Sequence, residues 1–386
     1  MRILFLCHRE TDVKIGGLAE FLHFLPISLK KQNIESIIYT ASDSEESHRL
    51  LENGVKWYSG PFAKPALFTS RKKLTPLFKL CEREKIDLIH AQGLYRSGYI
   101  ALQIRKKLGI PYVITSHSDI LTNNSDRMKR RTVQKRCLTI LRHASLTTHL
   151  TPFMEDASHN ILNTQEKSKI IGNGIDMASW KPFSESSEKN YLFAIGRLEK
   201  EKGFHILIEA YAELRKKGVK TSLMIAGTGS YESELQTFAK KLNLTVVTNC
   251  QDFAHIPEDS VIFTGYVRGE SKMKLMSEAK MILFATQPAW EEPFGIVQIE
   301  AMAAGKPLIS SDTKATRFLQ ESGLQAHLVP AEKSSAWADK MAELFHDWDL
   351  RKKMGKTNAS HAEKFDWTNA AMHYASAYRS AINKAF

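Results

Sequence analysis

Short apolar runs bounded by polar residues recur along the chain. In the first half they are RILFLC (2–7), ESIIYT (35–40), VKWYS (55–59), DLIHAQ (87–92), PYVITSH (111–117) and LTTHLT (146–151). In the second they are YLFAIGR (191–197), TSLMIAG (221–227), VIFTG (261–265), MILFAT (281–286) and KPLIS (306–310). Such runs predict strands, and several of the segments between them, GLAEFLHFLPISLKK among them, carry the spacing of an amphipathic helix. Pro26 lies inside that segment and is placed to kink it. Strands alternating with helices predict parallel sheets covered on their faces. MASWKPFSESSEKN (177–190), polar and interrupted by Pro182, separates two sets of such units and reads as a linker. The stretch 242–260, LNLTVVTNCQDFAHIPEDS, fits neither period. The fold class is therefore α/β, with two doubly wound domains facing each other. Ligands of such sheets bind beyond the carboxyl ends of the strands.

Composition changes this picture little. The 386 residues are 43% hydrophobic and 25% charged, ordinary values for a globular chain. Cys7, Cys81, Cys137 and Cys250 are widely spaced and form neither a disulfide framework nor a zinc motif, so a reducing cytoplasm is the expected setting. MRILFLCHRE reads as a first strand and not as a leader, and no run approaches the eighteen apolar residues of a membrane span. Charge is more informative. Residues 1–185 hold 28 Lys+Arg against 18 Asp+Glu, a balance of +10, whereas residues 186–386 hold 26 against 24. A basic first half suggests an anionic surface or partner there.

The candidate chemistry lies just after the strands. In EEPFGIVQIE (291–300), Glu292 and Glu300 are carboxylates at the two ends of an apolar stretch. The helix that begins there offers free N–H groups and partial positive charge, a seat for phosphate. Taken alone, Glu292 also fits a charge that satisfies the helix dipole, and Glu300 a solvent-facing helix position. GRLEKEKG (196–203) follows a strand and carries Arg197 and Lys202, a fork and a point charge suited to a diphosphate, although two surface cations would look the same. Gly16 and Gly17 open a helix after the first strand, where a backbone can approach an anion closely. His117 ends a strand in TSHSD, a place equally open to a structural histidine. Asp347-Trp348-Asp349 is a D-x-D, but in LFHDWDLRKKM it reads as a solvated helix face.

Together these fragments resemble the retaining nucleotide-sugar glycosyltransferases of the GT-B fold, specifically the large family four. The family's G-R-L-x-x-x-K-G corresponds to Gly196-Arg197-Leu198 with Lys202-Gly203. Its E-x-F-G with a second Glu eight residues on corresponds to Glu292-Pro293-Phe294-Gly295 with Glu300, and E-A-M-A-x-G-x-P runs intact from Glu300 to Pro307. Asn173–Asp176, Gly16-Gly17 and His117 match further family positions. DWTNAAMHYASAY resembles the family's closing helix. Two departures are the 242–260 stretch and Pro293, where the family commonly has Gly.

The resemblance implies two Rossmann-like domains across a cleft: 1–180 for the acceptor, 187–365 for the nucleotide sugar, and a helix at 366–386 that returns to the first. It implies that Glu300 accepts hydrogen bonds from the ribose, that Arg197 and Lys202 neutralise the diphosphate with help from the Phe294 and Gly295 N–H groups, and that Gly16 and Gly17 line the donor site. Glu292 would contact the donor sugar and His117 would orient sugar or acceptor. Retention by front-face substitution, with the departing phosphate taking the acceptor's proton, is the implied chemistry. No metal or other cofactor is expected.

RMKRRTVQKR (127–136) holds six cations in ten residues and continues into CLTILRH. Arg127, Lys129, Arg130 and Arg131 are thus candidates for contact with an anionic membrane or a lipid-linked glycan acceptor, unless this is an ordinary solvated helix. The expected function is transfer of a sugar in bacterial envelope polysaccharide or lipopolysaccharide synthesis, by a cytoplasmic protein on the inner face of the membrane. A sugar-nucleotide epimerase, a phosphorylase of the same architecture, or transfer to a small soluble acceptor are the alternatives. A basic nucleic-acid-binding protein is the remote alternative; a nucleic-acid partner is not expected, because no helix-turn-helix, zinc module or RNP-like motif is present.

Overall fold

The computed structural model describes residues 1–8, 16–42, 47–51, 54–60, 74–117, 130–162, 167–183, 186–248, 250, 253, 255–287, 290 and 292–383. The chain forms two compact units, Met1–Gly174 with Asp366–Phe386, and Ile175–Phe365.

The strands of the first unit are β1 (Arg2–Cys7), β2 (Glu35–Ala41), β3 (Ser47–Leu50), β4 (Lys56–Gly60), β5 (Leu88–Gln92), β6 (Tyr112–Ser116), β7 (Leu146–His149) and β8 (Ser168–Ile170). They form one sheet in the order β3-β4-β2-β1-β5-β6-β7-β8. All pairings are parallel except that of β3 with β4. β1 is central, with Leu4 opposite Ile37 on one side and Ile89 on the other. Ile3 to Cys7 are all fully buried, as expected of a strand covered on both faces. One face is covered by a cluster that includes Leu77, Ile100, Ile104, Val133 and Ile140. The other is covered by the helices Gly17–Lys30 and Trp367–Asn383, through Phe21, Leu25, Trp367, Tyr374 and Tyr378. Pro26 lies within the first of these helices, on its buried side.

A polar chain ties the last helix to the sheet. His90, fully buried on β5, meets the Tyr378 hydroxyl at 2.7 Å through Nδ1 and Thr115 Oγ1 at 2.6 Å through Nε2. Gly174 is pinned by the same helix: a Cβ there would fall 2.7 Å from Trp367 Cδ2.

The second unit contains β9 (Tyr191–Ile195), β10 (Ser222–Ala226), β11 (Thr245–Thr248), β12 (Ser260–Gly265), β13 (Met281–Phe284), β14 (Leu308–Ser311) and β15 (Ala326–Val329). The sheet is parallel, in the order β11-β12-β10-β9-β13-β14-β15. Two sequence expectations change here. The 242–260 stretch contributes β11, an edge strand whose residues are only partly covered, which is why it lacks an apolar signature. Residues 177–183 are not an open linker: they form the helix Met177–Trp180 and a 3-10 turn, with Trp180 buried. Asp347, Trp348 and Asp349 are exposed, as expected of a solvated helix face, and the Asp347 carboxylate caps the helix Trp348–Ala362 by accepting from Leu350 N–H at 2.8 Å.

Candidate active site

β9 lies between β10 and β13, where the strand order of the second sheet reverses. Ligands of doubly wound sheets bind at such a point, beyond the carboxyl ends of the strands. The two loops that leave β9 and β13 carry Arg197, Lys202 and Glu292.

Backbone contacts fix the β9 loop. Gly196 N–H donates to Ala226 O (3.0 Å), Leu198 N–H to Thr228 O (2.9 Å), and Tyr231 N–H back to Leu198 O (2.8 Å). The approach is so close that a Cβ on Gly227 would fall 1.9 Å from Gly196 O, and one on Gly229 2.3 Å from Leu198 O. Only glycine fits at either position. These two residues were not singled out in the sequence, although G-T-G after a strand was a legible signal. Glu199 fastens the loop further, accepting from the Ser230 hydroxyl at 2.6 Å. The β13 loop is joined to it directly, since Gln287 N–H donates to Glu201 O at 2.9 Å.

This arrangement brings Lys202 and Glu292 together as an ion pair, their side chains 16% and 19% exposed. Arg197, by contrast, is exposed, and its side chain makes no ion pair or hydrogen bond among the described residues. A committed cation and an uncommitted one thus stand on the same loop.

The helix Ile296–Ala303 begins at Gly295, whose φ of 76° and tight surroundings both demand glycine: a Cβ would meet Gln298 Nε2 at 2.6 Å. Gln298 N–H is the first of this turn to return to a carbonyl, that of Gly295 at 2.9 Å. The N–H groups of Phe294, Gly295, Ile296 and Val297 make no backbone bond among the described residues. They form the positive end of the helix and fit an anion. Phe294 anchors the turn, 2% exposed and edge-on to Phe365.

Glu300 is not solvent-facing. It is 6% exposed, because residues 298–303 of this apolar helix are all buried. A buried carboxylate needs a partner, and Lys272 supplies it, Nζ lying 2.5 Å from Glu300 Oε1. Lys272 comes from the helix Gly269–Glu278 that follows β12. Nothing in GESKMKLMSE distinguishes this lysine from its solvated neighbours, so sequence reasoning missed it.

In the first unit, His117 follows β6. Its Nε2 is 2.6 Å from Gln92 Oε1, and its ring stands edge-on to Phe21 at 4.8 Å. Burial lowers its pKa to about 3, so the imidazole is neutral. The amide oxygen is an acceptor, which assigns the proton to Nε2 and leaves Nδ1 as an acceptor. Gly16, with φ 97°, caps the helix Gly17–Lys30 and is exposed, as is Gly17. Arg130 and Arg131 are exposed at the start of the helix Arg131–His143. Arg127 and Lys129 lie outside the described residues. The apolar face of that helix, Val133, Cys137, Ile140 and Leu141, is already buried in the core. It is not available for insertion into a bilayer. No helix among the described residues is long and apolar enough to cross a membrane.

Known proteins share this architecture. A sucrose-phosphate synthase structure from Thermosynechococcus elongatus superimposes with a TM-score of 0.77 at 20% identity, over 98% of both chains. HepE of Anabaena, solved in complex with UDP and glucose, superimposes with a TM-score of 0.75 at 22% identity, over 98% of this chain and 99% of that one. Among sequences, the D-inositol 3-phosphate glycosyltransferase of Corynebacterium glutamicum (strain R) is 24% identical over 95% of this chain and 92% of its own. The fold is therefore GT-B, and the protein is a glycosyltransferase. Residues 177–361 match the family described as Glycosyl transferases group 1, and residues 15–179 match Glycosyltransferase Family 4. The chain belongs to the group 1 glycosyltransferases.

Proposed function

We propose that this protein transfers a glycosyl group, with retention, from a nucleoside diphosphate sugar bound by the second unit to an acceptor bound by the first. The observation that carries the reading is the pairing of Lys202 with Glu292 beside Arg197 and the open helix start at Gly295, all at the reversal point of the second sheet. Arg197, Lys202 and the N–H groups of Phe294 and Gly295 meet the diphosphate. They stabilise the charge that develops on it as the bond from the anomeric carbon to the phosphate oxygen breaks. That oxygen takes the proton of the acceptor hydroxyl while the new glycosidic bond forms. Glu300 accepts hydrogen bonds from the ribose, Glu292 from the sugar hydroxyls. Gly16 and Gly17 line the donor site, and neutral His117 orients the sugar or acceptor through Nδ1. These cations and the helix start are proposed to suffice without a metal or other cofactor.

The acceptor is proposed to be a glycan or lipid-linked glycan bearing phosphate, in envelope polysaccharide or lipopolysaccharide synthesis, on the inner face of the cytoplasmic membrane. The +10 balance of residues 1–185 supports an anionic partner. The relatives named for a phosphorylated inositol support a phosphate-bearing acceptor. UDP and UDP-glucose head the donor screen, because HepE is known with UDP and glucose and with UDP-glucose.

A thermal-shift screen of nucleoside diphosphates and their sugars tests the donor reading, since a true ligand stabilises by RT ln(1 + [L]/Kd). One nucleotide family should raise Tm, with and without EDTA. NMR of the product then reads the anomeric configuration. No response to any nucleotide would overturn the donor reading, and an inverted product would overturn retention.

A further inference from the structure

The Lys202–Glu292 pair sets two proposed ligand contacts in competition. Lys202 is assigned to the donor's diphosphate and Glu292 to its sugar, yet the two side chains hold each other. They come from different loops, and those loops are locked in place: Gln287 N–H to Glu201 O joins them, and Gly203, with φ 67°, packs where a Cβ would fall 3.1 Å from Ala285 Cβ. Both side chains are more than four-fifths covered, so their attraction is screened less than that of a surface pair. One ammonium cannot serve a carboxylate and a diphosphate at full strength.

We infer that Glu292 discriminates donor from spent nucleotide and drives product release. While the sugar is attached, its hydroxyls occupy Glu292, and Lys202 is free for the diphosphate. Once the sugar has moved to the acceptor, Glu292 loses those hydroxyls. It then competes with the nucleoside diphosphate for Lys202, and the ion pair seen here re-forms as the product leaves. The inference rests on the donor reading above and adds to it a role for Glu292 that acts through Lys202.

The test uses the full chain, with UDP and GDP as probes, and compares Lys202→Ala, Glu292→Gln and the double variant by calorimetry and product inhibition. Glu292→Gln is close to isosteric, and unchanged melting of each variant checks the fold. Should it melt early, Glu292→Ala serves in its place. Removing the competing carboxylate should tighten free nucleoside diphosphate about three- to tenfold. Affinity for the intact donor, which loses its contact with the sugar, should not tighten. Lys202→Ala should weaken the nucleotide, and the double variant should match Lys202→Ala, because Glu292 works through that lysine. If Lys202→Ala weakens the nucleotide but Glu292→Gln binds it no tighter, this inference is wrong and the donor reading stands. If neither substitution changes nucleotide affinity, the assignment of Lys202 to the diphosphate falls and takes this inference with it.

Discussion

Lys272 Nζ lies 2.5 Å from Glu300 Oε1, and the two side chains are only 16% and 8% exposed. Burying a carboxylate this deeply without such a partner is costly. Lys272 thereby commits one oxygen of Glu300, and the proposed ribose contact falls to the other.

Removing the ammonium should expose that dependence. Lys272→Met is expected to destabilise the protein by about 3 kcal/mol, the low end of the cost of breaking a buried pair. Lys272→Met with Glu300→Gln should be less destabilised than the single substitutions add up to. Urea unfolding of the four proteins measures this coupling. Strict additivity would mean that the pair contributes nothing.

Arg197 gives the cleanest probe of the proposed diphosphate contact, because its side chain makes no ion pair or hydrogen bond among the described residues. Arg197→Ala should leave Tm unchanged and lower kcat/KM for the donor by about 10- to 150-fold, the equivalent of a charge-assisted hydrogen bond of about 1.5–3 kcal/mol. Unaltered donor kinetics would show that the phosphates are held elsewhere.

Gly227→Ala and Gly218→Ala separate crowding from backbone strain. Both glycines have positive φ, 132° and 80°, but only at Gly227 would the new Cβ collide with a neighbour, Gly196 O at 1.9 Å. Gly218→Ala should cost about 1 kcal/mol. Gly227→Ala should cost about 3 kcal/mol or more and displace the Arg197 loop, weakening donor use as well. Equal melting temperatures for the two variants would contradict the close approach.

The buried histidines make stability depend on pH. His90 is held well below its ordinary pKa by burial and by nearby His117, and His117 by burial. In the unfolded chain each titrates near 6.5. The unfolded state therefore binds more protons below that value, and stability falls as pH drops through and beneath it. Tyr374 and Tyr378, which pack on His90, have raised pKa values and do not titrate in this range. Urea unfolding from pH 8 to pH 5 should show the loss in the first unit, with a shallower slope in His90→Gln. An identical slope in that variant would assign the effect to other groups.

The proposed membrane attachment is electrostatic. Arg130 and Arg131 are exposed while the apolar face of their helix is used by the core. Each cation near an anionic leaflet contributes about 1 kcal/mol. Sedimentation with anionic liposomes should show binding at low salt that fades at high salt. Replacing Arg127, Lys129, Arg130 and Arg131 by Gln should weaken binding and spare the nucleotide. Indifference of the wild type to anionic liposomes at low salt would point to a soluble acceptor.

The central strands were legible because burial on both faces forces a continuous apolar run, as in RILFLC and YLFAI. The edge strands were not: SHRL in β3 is exposed throughout, and TVVT in β11 is exposed at both ends and only partly buried between them. Arg197, Lys202 and Glu292 could be picked out because they follow strands and because the motifs around them resemble those of a known family; taken alone, each also fitted a surface charge. That Lys202 and Glu292 touch could not, since it depends on two loops ninety residues apart in sequence. Glu300 misled for a related reason. Helical periodicity gives a face, but only the packing around Ile296–Ala303 decides whether water reaches it.

The helix Trp367–Asn383 has a consequence for biosynthesis. It supplies Trp367, Tyr374 and Tyr378 to a core whose other residues, Phe5, Phe21, Val113 and Ile171 among them, precede it by nearly two hundred residues or more. On the ribosome the first-made unit therefore waits, one face of its sheet uncovered, until more than 360 residues have been joined. The later unit is contiguous in the chain and meets no such delay. Order of synthesis and order of completion are thus reversed, and the nascent first unit is the part that most needs shielding from aggregation.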